Sequence, residues 1–294
     1  MFGDRFRRSW QVAKESYAVL KSNPSLMLFP ILSGAATLAL SIPLLVIMGI
    51  ALMAASASQT TKTHEEVFGV LHYAVMAVTY FVNYFVVIFF NSALVACAHE
   101  ALQGRPTSTK FGFEAAGRRL PQIILWAAIS STVGMILKAI SERSGIVGAL
   151  VSTFIGLAWN LAVFFVVPVL VIDNEKPFEA IKTSVGMIRK TWGEKLILGI
   201  GISVAIGVLC LVAFTPMFAG IAFAVSEMYV LAIVCVVVSV LLLLGIAIAG
   251  SAMTTIHQTA LYIYCRTGES PSAYSPDLIA GAFAPKPERK FFGR

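Results

Sequence analysis

Charge is scarce in this chain. Only 13% of its 294 residues are Asp, Glu, Lys or Arg, where soluble domains carry about 25%. So few charges cannot cover the surface of a soluble globular domain, which excludes that class. Cysteine is sparse too: Cys97, Cys210, Cys235 and Cys265 share no ligand spacing, so free thiols are expected rather than a disulfide framework or zinc site. Strict alternation is missing from runs such as VLAIVCVVVSVLLLLGIAIAG, which excludes the segments of about ten alternating residues that build a membrane β-barrel. No ionisable residue lies near the middle of a long apolar run, since Glu100, Glu142, Asp173 and Glu227 all fall at run ends. A proton relay therefore has no carrier. His64, His72, His99 and His257 form no HExxH pair, so neither metallohydrolase chemistry nor a bound metal or other cofactor is expected.

What the chain has instead is 58% hydrophobic residues. A bilayer core about 30 Å thick is crossed by about 20 apolar residues in a helix. Six stretches reach or approach that length: Leu26 to Ala55, Val67 to Ala98, Ile123 to Ile140, Ile146 to Ile172, Leu196 to Val225 and Met228 to Tyr264. Lys138 falls inside the third, near enough to its end for the ammonium to reach the interface along its own stem. Ala55-Ser56-Ala57 resembles a small-residue cleavage site, but the apolar run before it is too long for a signal core, and cleavage is not expected.

The basic residues set an orientation, because Lys and Arg of short loops stay cytoplasmic. Arg5, Arg7, Arg8, Lys14 and Lys21 precede span one, Arg105, Lys110, Arg118 and Arg119 separate spans two and three, and Lys176, Lys182, Arg189, Lys190 and Lys195 separate spans four and five. Arg266, Lys286, Arg289, Lys290 and Arg294 follow span six, leaving only Lys62, Lys138 and Arg143 for the other side. Both termini are expected in the cytoplasm of a prokaryotic plasma membrane. The net charge of +7 reflects this topology, and no nucleic-acid-binding module accompanies it.

The loop between spans four and five, EKPFEAIKTSVGMIRKTW, has apolar residues at Phe178, Ile181, Val185, Ile188 and Trp192. Steps of three and four stack them on one helix face. The N-terminal segment repeats the design with Phe6, Trp10, Ala13, Tyr17 and Leu20. Setting Ser9 against Ser184 matches Asp4 to Glu179, Phe6 to Ile181, Lys14 to Arg189 and Tyr17 to Trp192. A shorter copy, TKFGFEAAGRRLP, precedes span three and spaces Phe113, Ala116 and Leu120 alike. The predicted fold is all-α: six transmembrane helices as three hairpins, each preceded by an amphipathic cytoplasmic elbow helix. Two readings of the elbows are open. They pack under the bundle and set its topology, or they engage anionic lipid through Arg7, Trp10, Lys14, Tyr17, Lys182, Arg189, Lys190 and Trp192. The six-span domain is expected over residues 1–268, with residues 269–294 as a flexible cytoplasmic tail rich in proline.

PFEAIKTSVGMIRKTWGEKLIL resembles the Ala-Leu-x-x-Ser-Trp motif, with its following basic and aromatic turn, in the membrane domain of some bacterial glycerophosphoryl diester phosphodiesterases. Val185 stands where that motif has its tryptophan, and the catalytic barrel is missing. RSWQVAKESYAVLKSNPSLMLFPIL and TALYIYCRTGESPSAYSPDLIAGAFAPK, taken together, are similar to a family of bacterial and archaeal six-span proteins of unknown function. The resemblance implies a fold and no catalytic residue, so a non-enzymatic protein is expected.

Polar residues inside the spans are the remaining candidates. Asn91, Ser92, His99 and Glu100 on span two and Ser251, Thr254, Thr255, His257 and Gln258 on span six either line a cavity open to the cytoplasm, as in a small-solute or lipid transporter or channel, or bond between helices. Asn160, and Asn83 with Thr79, are read as interhelical bonding. Gly148, Ser152, Gly156 and Asn160 on span four, and Gly199, Ser203 and Gly207 on span five, recur every four residues, a ridge expected to let helices approach closely. Pro30, Pro43, Pro168 and Pro216 imply kinks.

Overall fold

A computed structural model of the chain describes residues 2–57, 62–143, 145–191 and 199–275. Those residues form helices and no strand. Helix α1 (Phe2–Ser22) and a 3-10 turn (Pro24–Met27) lead into α2 (Leu28–Ala57) and α3 (Lys62–Leu102). Helix α4 (Thr109–Arg118) precedes α5 (Leu120–Arg143) and α6 (Gly145–Ala162), which continues through α7 (Val166–Pro168) and a π turn (Val169–Asp173). Helix α8 (Pro177–Thr191) is followed by α9 (Gly199–Ala213), α10 (Thr215–Val225) and α11 (Tyr229–Thr267).

Six segments are long and apolar enough to cross a membrane: Pro24–Ile50, Tyr73–Leu102, Leu120–Glu142, Val147–Asp173, Ile206–Val225 and Tyr229–Thr267. This is a multi-pass membrane protein, and its lipid-length helices leave Leu38, Ile42, Leu45 and Ile50 of α2 and Leu211, Val230, Ile233 and Leu241 of α9 and α11 exposed. Such apolar surface is stable where the solvent is hydrocarbon. The three short helices α1, α4 and α8 stand where the sequence places its elbows, each just before a hairpin. All four cysteines are free.

Local chemistry sets the breaks. Ser108 caps α4 by accepting the Phe111 N–H at 3.2 Å. Gly268, at φ 75°, closes α11 in the left-handed region, and its N–H reaches Tyr264 O at 2.8 Å, a conformation that glycine adopts without Cβ strain. Span four breaks between Ala162 and Val166. Pro168 has no N–H to return to Phe164 and its ring crowds that turn. Pro216 does the same at the start of α10, where α9 has ended at Ala213.

The chain divides into two compact units. One holds residues 28–97 and 107–185, and the other holds residues 1–27, 98–106 and 186–294. In the first, Phe113 of α4 sits among Phe29, Phe89 and Phe90, at ring-centroid distances of 5.5, 6.2 and 5.8 Å. Gly112 beside it is so close to α2 and α3 that a Cβ there would stand 2.5 Å from the Phe29 ring and 2.9 Å from Ala93 O. In the second, α1 packs on α9 and α11, with Val12 and Ala13 against Ile206 and Met253. Helix α10 returns along α11, where a Cβ on Gly220 would be 3.1 Å from Ala232 O and one on Gly250 would be 2.8 Å from Ile206 Cδ1.

Those two glycines, absent from the ridges read in the sequence, make the close contacts of the last hairpin. Gly207 has open space around its Cα. Gly199 and Ser203 belong to α9, with side chains outside the description. On span four, Gly148 is buried, but a Cβ on Gly156 would meet only Leu137 at an ordinary 3.8 Å, and Asn160 is exposed.

Candidate functional site

Each elbow buries one face through a small residue at the same register. Ser16 of α1, Ala116 of α4 and Ser184 of α8 are fully buried, and the residues four before them, Val12, Gly112 and Ala180, are buried too. This register pairs Ser16 with Ser184, one heptad away from the pairing with Ser9 that side-chain type suggests. Serine at this position turns inward and accepts or donates a hydrogen bond. Ser184 Oγ accepts the Phe165 N–H at 3.1 Å, inside the break of span four. Ser16 Oγ donates to Val12 O at 2.9 Å and lies 2.6 Å from the Tyr274 hydroxyl.

A second face of the same helices stays outside. On α1 it carries Trp10, 52% exposed, Lys14, Tyr17, 53% exposed, and Lys21. On α8 it carries Phe178, 63% exposed, Lys182, the half-buried Val185 and Arg189. Steps of four, three and four residues put each set on one stripe, and under the Ser16–Ser184 register the two stripes coincide position by position. The apolar line expected along α8 is thus divided: Ile181, Val185 and Ile188 are half-buried and Phe178 is outside. On α1, Ala13 and Leu20 turn inward while Trp10 and Tyr17 turn outward. Arg7 and Lys190 lie on α1 and α8, with side chains outside the description, and Trp192 lies outside the described residues.

The polar residues expected either to line a cytoplasm-facing cavity or to bond between helices have separate surroundings. His99 is 2.9 Å from Gln103 Nε2 through its own Nε2. Glu100 accepts both Nε–H and Nη2–H of Arg105, the latter at 2.8 Å. These groups tie up the end of α3 and its turn. Asn91 belongs to the other compact unit. Ser251 is exposed and Thr255 is buried on α11. His257 is buried with both ring nitrogens unpartnered among the described residues, and its ring lies 6.4 Å from that of Tyr274. Asn83 bonds across helices as expected, accepting the Ser41 hydroxyl at 2.9 Å.

Tyr274 belongs to an ordered stretch beyond α11. Ser272 Oγ donates to Leu102 O at 3.1 Å, and Ser275 Oγ to Glu15 at 2.6 Å. Residues 276–294 lie outside the description. Burial pushes the Tyr274 phenol above its ordinary range, and the Ser16 bond opposes that only in part.

A cavity of about 350 Å³ lies within the unit of residues 28–97 and 107–185, between α3, α5 and α6. Tyr84, Trp126, Ser130, Gly134, Trp159 and Asn160 line it together with aliphatic side chains. The two indoles stack at 5.9 Å and 24°. Gly156 lines it as well, and of all these residues only Asn160 and Gly156 stood out in the sequence. Aromatic and small residues inside an apolar run carry no periodic signal distinguishing a cavity wall from a packed seam.

No curated protein matches the chain. Residues 70–272, from the first turns of span two through the end of span six and into the ordered stretch beyond it, match a family of unknown function, DUF6159, and the chain belongs to that family.

Proposed function

We propose that this protein is a non-enzymatic component of a prokaryotic plasma membrane, with both termini cytoplasmic, whose elbow helices engage anionic lipid in membrane organisation or lipid handling. The observation that carries this reading is the exposed aromatic and basic stripe on α1 and α8, opposite in chemistry to the buried stripe that docks each helix. Trp10, Tyr17 and Phe178 are sized to enter the acyl boundary, and Lys14, Lys21, Lys182 and Arg189 among them meet headgroup phosphates. Packing under the bundle and lipid contact are not rivals here, because they use different faces of the same helix.

The test compares the chain with a variant carrying Lys14→Gln, Lys21→Gln, Lys182→Gln and Arg189→Gln in nanodiscs of mixed neutral and anionic lipid. About 1 kcal/mol of attraction per basic residue near an anionic surface sets an upper bound of about 4 kcal/mol, less as salt screens it. The expected outcome is loss of anionic enrichment at low salt with helix content unchanged. Equal enrichment in both proteins would assign these cations to topology alone.

A second reading, a small-solute or lipid transporter, is supported by the break in span four beside a cavity, since interrupted membrane helices are tolerated where they border one.

A further inference from the structure

The cavity between α3, α5 and α6 has the chemistry of a ligand site, and its depth restricts the ligand. Asn160 is the central residue of the Val147–Asp173 span, thirteen residues from either end, or about 20 Å along a helix at 1.5 Å per residue. The ester carbonyls of a phospholipid stand at the edge of a hydrocarbon core about 30 Å thick, so they do not reach this depth. Asn160 is nevertheless exposed, and its carboxamide makes no hydrogen bond among the described residues. Ser130, 6% exposed, lines the same cavity and likewise bonds to none of the described residues. Its neighbours Ser131 and Thr132 return their hydroxyls to Ala128 O, at 3.0 and 2.8 Å. The Tyr84 hydroxyl adds a third polar group, seated against Gly134, where a Cβ would stand 2.7 Å from it.

Aromatic walls surround these groups. Trp126 and Trp159 stack on one another and both face the cavity, and Val163 and Val167 continue its wall into the break of span four. Val87 and Asn160 line it and are themselves exposed, so the cavity opens on the surface of membrane-spanning helices. Ligand pockets run from about 300 to 1,000 Å³. At about 350 Å³ this one holds a single ring-sized head and falls far short of a two-chain lipid.

We infer that this cavity binds a neutral lipid of the bilayer interior that carries a carbonyl-bearing ring on an apolar tail, the chemistry of a prenylated quinone. The ring packs against the indoles and the carbonyls accept hydrogen bonds from the Asn160 amide and the Ser130 and Tyr84 hydroxyls. The tail leaves past Val87 into the surrounding hydrocarbon. An acyl chain would fill the same volume but leave all three polar groups unmatched.

The experiment titrates a decyl-substituted benzoquinone into the full chain in detergent and follows tryptophan fluorescence, which a quinone quenches on contact. Saturable quenching is expected, weakened about tenfold for each hydrogen bond removed in Ser130→Ala and Asn160→Leu, as a difference of 1.4 kcal/mol in binding would produce. Dodecane added in excess should not displace the probe. Linear quenching that is the same in the original chain and in both cavity variants overturns the proposal, as does full displacement by dodecane, which would make the cavity an acyl-chain cleft. Because Asn160→Leu removes a polar group from hydrocarbon, it should fold at least as well as the original chain, and Ser130→Ala provides an independent reading should it not.

Discussion

Ser184 and Pro168 are linked through one backbone amide. A proline in span four removes a donor and bends the helix, the chain turns through residues 163–165, and the Phe165 N–H of that turn lies in buried surroundings. Ser184 supplies an acceptor for it from another helix, at 3.1 Å. Ser184→Ala should therefore destabilise the fold by about 1–3 kcal/mol, the cost of an orphaned buried donor, measured as thermal unfolding in detergent. A loss below about 0.5 kcal/mol would mean that the amide finds another partner. Tyr274 makes the corresponding bond to Ser16. Tyr274→Phe should cost about 1 kcal/mol and open the stretch after α11 to protease. The buried phenol titrates above its unfolded value of about 10, so its contribution is complete below that pH and is lost as pH rises through the raised value. Nicking after Thr267 should accordingly increase only in strong alkali, and an increase between pH 6 and 8 would place the control elsewhere.

At the scale of elements, each elbow has a contact on a hairpin other than the one it introduces. Helix α4 seats Gly112 and Phe113 against α2 and α3, α8 bonds to span four, and α1 packs on α9 and α11. Helices α4 and α8 thus reach back to the hairpin before them, while α4 also packs on α5, which it introduces. The close helix contacts in the last hairpin run through Gly220 and Gly250, so Gly220→Val should destabilise by about 1–3 kcal/mol through forced separation of α10 and α11. Gly207→Ala should be neutral or gain up to about 1 kcal/mol from helix propensity. Thermal unfolding of the pair in detergent checks both, and the reverse ranking would contradict the packing described.

For the whole molecule, the sixfold crossing and the distribution of Lys and Arg make a topological prediction. Cysteines placed at Lys62, Arg143 and Glu227 should react with a membrane-impermeant thiol reagent from outside the cell, and cysteines at Arg118 and Lys182 should not, with the native cysteines replaced. Labelling at Lys182 from outside would overturn the orientation inferred from charge.

The sequence alone determined the class of solvent and the number of crossings, because transfer of about 20 apolar residues into hydrocarbon is a sum over single side chains and needs no knowledge of neighbours. It also located the elbows, since amphipathic spacing is local. It did not determine which face of each elbow turns inward. Trp10, Ala13, Tyr17 and Leu20 follow one helical spacing, yet only Ala13 and Leu20 are buried, because the spacing is the same for residues turned to the protein and residues turned away from it. Similarly, Gly207 and Gly220 are indistinguishable by residue type, and Asn160 resembles any amide placed between helices. Whether a small residue is a close contact, or a polar one is matched, depends on what the partner helix presents at that height, and only the tertiary structure decided that.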